Sequence, residues 1–191
     1  DWSSDVCSSD LPHNVMIAGG GRIGTALATS LESIYSLKVI EKDKNTAKLI
    51  SESLSSTVVL NSDIADENML RDESIEDVDY FCAVTSDDQM NILSAKLAKE
   101  MGASKTISIV NKSSYRNLVS KEIDVVVSPE DVTLGSLLAA ARTSDIVSVN
   151  RIANYEGECM EIIAHGNNQT SKIVGKNISQ LKLPPTIVVG A

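Results

Sequence analysis

Three glycines and one carboxylate carry the clearest chemistry in this chain. Gly19, Gly21 and Gly24 follow the spacing G-x-G-x-x-G at the end of the apolar run Val15-Met16-Ile17-Ala18. In that spacing the first glycine allows a sharp turn and the second lets the backbone approach a pyrophosphate. The third lets a following helix pack closely. Free amides at the start of that helix, with the positive end of its dipole, would hold the anion. Glu41 stands twenty positions after Gly21, at the end of the next apolar run. A carboxylate there accepts hydrogen bonds from the hydroxyls of an adenosine ribose and repels a 2′-phosphate. NAD or NADH is therefore favoured over the phosphorylated forms, a preference that Lys42 beside it weakens slightly.

Three further groups belong to the same chemistry by position. Asp63 follows the third apolar run, Thr85 and Ser86 follow the fourth, and Asn111 follows the fifth. In open α/β sheets, ligands bind at the carboxyl ends of the strands. Thr85 and Ser86 can offer hydroxyls to ribose or phosphate, and Asp63 can accept from the adenine side. Each could equally cap a helix, because Ser, Thr and Asp satisfy free amides at helix starts.

The elements that must position these groups alternate. Apolar runs lie at Val15–Ala18, Leu37–Ile40, Thr57–Leu60, Tyr80–Val84, Thr106–Val110 and Asp124–Val127. Between them, helical periodicity predicts Ile23–Ser33, Asn45–Ser53, Asp66–Arg71, Asp88–Met101 and Tyr115–Lys121. In the fourth helix Met90, Leu93, Leu97 and Met101 form the expected inward stripe, with Gly102 as the cap. Strands alternating with helices require a parallel sheet with right-handed crossovers. The fold class is thus α/β, a Rossmann-like doubly wound parallel sheet. A small α+β module follows it, with a helix at Asp131–Arg142 bearing Leu134, Leu137, Leu138 and Ala141 on one face. Such a face suits docking on a partner or crossing to another domain. Strands are expected at Ile146–Ile152, Cys159–Ala164 and Thr186–Val189, with a short strand or turn leading into a helix within Ser171–Leu181.

Composition narrows the function. With 17 basic and 26 acidic residues the net charge is −9, which argues against nucleic acid or an anionic membrane surface as partner. No apolar run approaches the roughly 20 residues that span a bilayer. Cys7, Cys82 and Cys159 show no pairing pattern, as in a reduced, cytoplasmic protein. His13 and His165 lack ligand-spaced partners, so no metal site and no catalytic constellation are expected. Residues 1–11 have no periodicity and read as a translated adapter rather than natural protein, so they stand outside the fold.

The chain resembles the NAD-binding regulatory subunit of bacterial Trk-type potassium uptake systems, built from RCK (regulator of potassium conductance) domains. The resemblance spans residues 12–191. It rests on Gly19–Gly24 with Glu41, on Val84-Thr85-Ser86-Asp87-Asp88 with Asn91, and on Ser128-Pro129. The stretch from Ser171 through Val174-Gly175-Lys176 to Leu181-Lys182-Leu183-Pro184-Pro185 completes it. It implies an N-terminal NAD-binding domain at 12–130, a linking or assembly helix at 131–144 and a partial C-terminal RCK domain at 145–191. The chain is most like the second of the two tandem units usual in that family. Gly19, Gly20, Gly21, Arg22, Ile23 and Gly24 would line the pyrophosphate, Glu41 the ribose, and Thr85, Ser86 and Asn111 the far side. Two departures stand out: Ser62 replaces a frequent glycine before Asp63, and Asn111 replaces an arginine that can contact phosphates.

The resemblance further implies a non-enzymatic protein that binds NAD or NADH, with ATP or ADP able to use the same site. It implies a homo-oligomer held through RCK domains, bound to a membrane potassium transporter subunit at the inner face of the plasma membrane. The RCK domain of another potassium channel or an antiporter is an alternative. A dehydrogenase fragment is another, but it would need a base or proton relay that no motif here supplies.

Overall fold

The computed structural model describes residues 14–119, 121–141, 146–152, 157–167, 169–171 and 173–181. The adapter-like stretch 1–11, residues 12 and 13, and the expected strand Thr186–Val189 lie outside the described residues. The chain divides into two compact units, Asp1–Pro129 and Glu130–Ala191.

The first unit alternates strands β1 (Asn14–Ala18), β2 (Ser36–Ile40), β3 (Val58–Leu60), β4 (Tyr80–Ala83), β5 (Lys105–Ile109) and β6 (Val125–Val127) with helices. The helices are α1 (Arg22–Leu31), α2 (Lys44–Ser53), α3 (Glu67–Asp72), α4 (Asp88–Glu100) and α5 (Ser113–Val119). All six strands are parallel, in the order β3-β2-β1-β4-β5-β6. The doubly wound sheet expected from the alternation is therefore present. The chain winds outward from β1 in one direction and from β4 in the other. That reversal opens a crevice beyond the carboxyl ends of β1 and β4, where such sheets bind ligands.

Helices pack on both faces of the sheet, leaving an apolar groove beside α1 over Cys82, Ile107, Ile109 and Val127; strands apolar on both faces read as unbroken runs rather than alternating ones. With a side-chain period of two, Met16, Ala18, Phe81 and Ala83 point into one core. Val15, Ile17, Val39 and Cys82 point into the other. Cys82 is a buried free thiol, and burial pushes its pKa up to about 11.

Helix α4 bears out most of the expected inward stripe, since Met90, Leu97 and Met101 pack against the core, and corrects it at Leu93. The residues it buries are Asp88, Asn91, Ser94, Ala95 and Ala98, whereas Leu93 is exposed and Met90, Leu97 and Met101 are only half-buried. Small side chains at Ser94, Ala95 and Ala98 let the helix lie close to the sheet, with the longer ones wedged along its flank. Gly102 terminates the helix with a φ of 112°, as expected of a glycine in that position.

The second unit contains α6 (Pro129–Ala141) and an antiparallel pair, β7 (Ile146–Ile152) with β8 (Gly157–Ile162). Helix α6 is less one-sided than its leucines suggest. Leu134 and Leu138 are half-buried, but Leu137 and Ala141 on the same face are exposed. Val132, on the opposite side of the helix, is also exposed. Apolar residues thus run most of the way round it. The expected helix within Ser171–Leu181 is a single 3₁₀ turn at Ile178–Gln180, boxed at its start by Asn177 and Gln180.

Candidate functional site

The start of α1 differs from the starts of its neighbours in a way that matters chemically. Helices α2, α3 and α4 are each capped by an aspartate: Asp43, Asp66 and Asp87 accept backbone N–H groups of the first turn. Helix α1 begins on Gly21 with no side-chain cap. Its first amides are thereby left for an outside acceptor, and no carboxylate stands in its first turn.

Each glycine of the turn meets a different constraint. Gly19 has a φ of 110°, and a Cβ there would lie 2.9 Å from the Thr85 backbone nitrogen. The β1–α1 turn and the β4–α4 loop therefore touch across the switch point. At Gly24 a Cβ would strike the Gly19 carbonyl oxygen, so this glycine serves the turn as much as the sheet. Gly20 is packed beneath Ile50 and Glu41. Around Gly21 nothing lies within 4 Å of the place a Cβ would take, and Gly21 lines the crevice at the switch point.

That crevice has a volume of about 530 Å³. Of the sequence-predicted residues, Gly19, Gly21, Glu41, Asp63, Thr85 and Ser86 line it. Ile40, Ile64 and Met90 add apolar walls suited to an adenine ring. Ile40, at the end of β2, and Met90, on α4, read in sequence as core positions, and Ile64, in the loop after β3, carries no periodic signal. Gly20, Arg22, Ile23, Gly24 and Asn111 do not line the crevice. Arg22 is exposed at the helix start, and Ile23 faces an apolar groove alongside Leu27.

Glu41 is half-buried and held at both oxygens. Gly20 donates its amide to Oε2 at 2.7 Å, and Asp43 donates its amide to Oε1 at 2.8 Å. The carboxylate thus stands in a fixed place beside the glycine turn, with remaining lone pairs to accept from a ribose. Lys42 Nζ lies 2.7 Å from Asp63 Oδ2, and the Ala65 amide donates to Asp63 Oδ1 at 3.0 Å. The hydrogen bond from Lys42, then that from Ala65, holds the Asp63 carboxyl below its ordinary range.

The β4 side of the crevice is a closed network. Asn91, fully buried, accepts from the Thr85 amide at 2.8 Å and from its hydroxyl at 2.6 Å. It donates to the carbonyls of Thr85 at 2.9 Å and Ile109 at 3.0 Å. The Thr85 hydroxyl proton is therefore already committed. Asn111 donates its side-chain amide to Asp88 Oδ1 at 2.8 Å, and Lys112 donates its backbone amide to Oδ2 at 2.8 Å. Burial works against charge on Asp88, but the amides of Asn111 and Lys112 outweigh it and hold the carboxyl below its usual value. Among the described residues no group of three or more His, Cys, Asp or Glu could hold a metal ion.

Comparison with known proteins agrees with this geometry. The TrkA-N domain family matches residues 15–129. The chain is 44% identical over 180 residues to the Trk system potassium uptake protein TrkA of Vibrio alginolyticus, covering 94% of this chain and 39% of that protein. It thus spans about two fifths of the length of such relatives. Among solved structures, the TrkA-N domain of the inner membrane protein ybaL from Escherichia coli matches with a TM-score of 0.62 at 16% identity, covering 70% of this chain and 99% of that one. The GsuK channel bound to NAD matches with a TM-score of 0.59 at 20% identity, covering 76% of this chain and 26% of that one. An uncapped glycine turn with a carboxylate at the end of β2, on a sheet wound in this order, fits what the sequence match says: the chain belongs to the TrkA-N domain family.

Proposed function

We propose that this chain is the nucleotide-sensing part of a regulatory subunit for a potassium uptake transporter, and that NAD or NADH binds in the crevice between β1 and β4. The single observation that carries this reading is the α1 start: free amides over an open crevice, with Glu41 fixed beside them. The free amides from Gly21 to Gly24 would hold the pyrophosphate, with Arg22 and Ile23 contributing backbone only, while Gly19 and Gly20, whose amides donate to the Ile40 carbonyl and to Glu41, would shape the turn beside it. Glu41 would accept from the ribose, and Asp63 would meet the adenine edge. Thr85 and Ser86 would face the far half. Asn111 would act through Asp88, by holding the β5–α5 loop, rather than by touching phosphate. ATP or ADP would use the adenosine half of the same crevice.

Binding, not turnover, is the proposed role. A nucleotide shifts a protein between two shapes only through its differential affinity for them. The proposed partners are a membrane potassium transporter subunit and further copies of the RCK domains, on the cytoplasmic side of the plasma membrane. Helix α6, apolar most of the way round, is proposed as the assembly element. Calorimetric titration with NADH tests the reading: saturable binding is expected, with no change in nicotinamide absorbance on adding hydroxy acids or aldehydes. Hydride transfer at enzymatic rates would overturn it.

A further inference from the structure

The ribose end of the crevice holds two adjacent groups of opposite preference. Glu41 disfavours a 2′-phosphate, and Lys42 is the residue next to it, also lining the crevice. The two are not equally free. Backbone amides fix both oxygens of Glu41. Lys42 has one partner given by geometry, Asp63, reached across the crevice mouth from the end of β3. Its side chain is 77% exposed against 39% for Asp63, so the lysine end of the pair is the one that can swing.

We propose that Lys42 is a specificity-determining residue for the phosphorylated state of the ribose, and that Asp63 withholds it. While Lys42 is paired with Asp63, its charge is neutralised at the mouth. The carboxylates of Glu41 and Asp87 then set the field in the crevice, and a 2′-phosphate is disfavoured. Released from Asp63, the four-carbon stem lets the ammonium turn toward the ribose, where a nearby cation accommodates a 2′-phosphate. An exposed ion pair is weak and easily exchanged, so removing one partner is enough to redirect the other. The ligand class at stake is the 2′-phosphorylated dinucleotide.

This inference rests on the nucleotide-binding reading above. Its test measures the ratio of NADH to NADPH dissociation constants in four forms of the 191-residue chain: unaltered, Asp63→Asn, Lys42→Ala, and the double variant. The two ligands differ only in the 2′-phosphate, so a general structural effect moves both constants and leaves the ratio in place. Asp63→Asn keeps an acceptor for the Ala65 amide and removes the charge that holds Lys42. The ratio is expected to shift toward NADPH by about five-fold in Asp63→Asn. In the Lys42→Ala background the same change should produce a clearly smaller shift, because only direct repulsion by Asp63 is then relieved. Raising the salt concentration should shrink the difference. Equal shifts in the two backgrounds, or none in either, would overturn the role of Lys42 while leaving nucleotide binding intact. Failure of the unaltered chain to bind either ligand would overturn both readings.

Discussion

Helices α1 and α4 start side by side, at the carboxyl ends of the adjacent strands β1 and β4, yet their first turns are built in opposite ways. Helix α4 satisfies its own amides through Asp87, and its buried Asn91 and Asp88 fasten the loops on either side. Helix α1 leaves its amides unclaimed on Gly21. One start is a finished wall and the other an open socket. On the proposed reading two equivalent places in a doubly wound sheet divide the work: the α4 side holds the crevice in shape, and the α1 side would receive an anion.

The most damaging change to that division should be Gly24→Val. Its Cβ would strike the Gly19 carbonyl oxygen, so turn and helix could not both keep their places. A loss of roughly 3 kcal/mol in unfolding free energy is expected, in the range for a buried steric clash, measured by urea denaturation. Nucleotide binding should disappear with it.

On the wall side, Asn91→Leu should cost about 2–3 kcal/mol. The Thr85 amide and the Ile109 carbonyl would be left without the partner that Asn91 supplies. NADH affinity should fall as well, because Thr85 would no longer be pressed against Gly19. A variant that lost stability yet bound NADH normally would show that the wall does not shape the socket.

A smaller effect is expected from Glu41→Ala: about 1–3 kcal/mol of NADH binding free energy, as for a lost charge-assisted hydrogen bond, with less loss for NADPH. Equal losses for the two would mean that Glu41 serves only the Gly20 and Asp43 amides and does not face the ribose.

The socket was legible in the sequence and the wall was not, for physical reasons. Glycines at fixed offsets and unbroken apolar strands are local signals. They located β1, β2, β4 and the carboxylate at the end of β2 to within a residue or two. Apart from Thr85, six residues before Asn91, the partners of Asn91 and Asp88 lie 18 to 24 residues away on the next strand and loop, and no periodicity encodes them. On α4 the methionines and leucines drew attention to the flank, because close packing uses Ser94, Ala95 and Ala98, which carry little hydrophobic signal. Asn111 stood at the correct strand end, but its amide is given to Asp88. The pairing of Lys42 with Asp63 joins two strand ends that only the strand order brings together.

Gly21 separates socket from scaffold most directly. Its φ of −68° and ψ of −171° suit any residue, nothing lies within 4 Å of its Cβ position, and it lines the crevice. NADH should be titrated calorimetrically into the unaltered chain and into Gly21→Val, with thermal unfolding of both recorded alongside. Saturable NADH binding to the unaltered chain is expected, with binding weakened at least about ten-fold, or some 1.4 kcal/mol, in Gly21→Val and the unfolding midpoint nearly unchanged. Equal NADH affinity in the two proteins would contradict the assignment of this crevice as the nucleotide site.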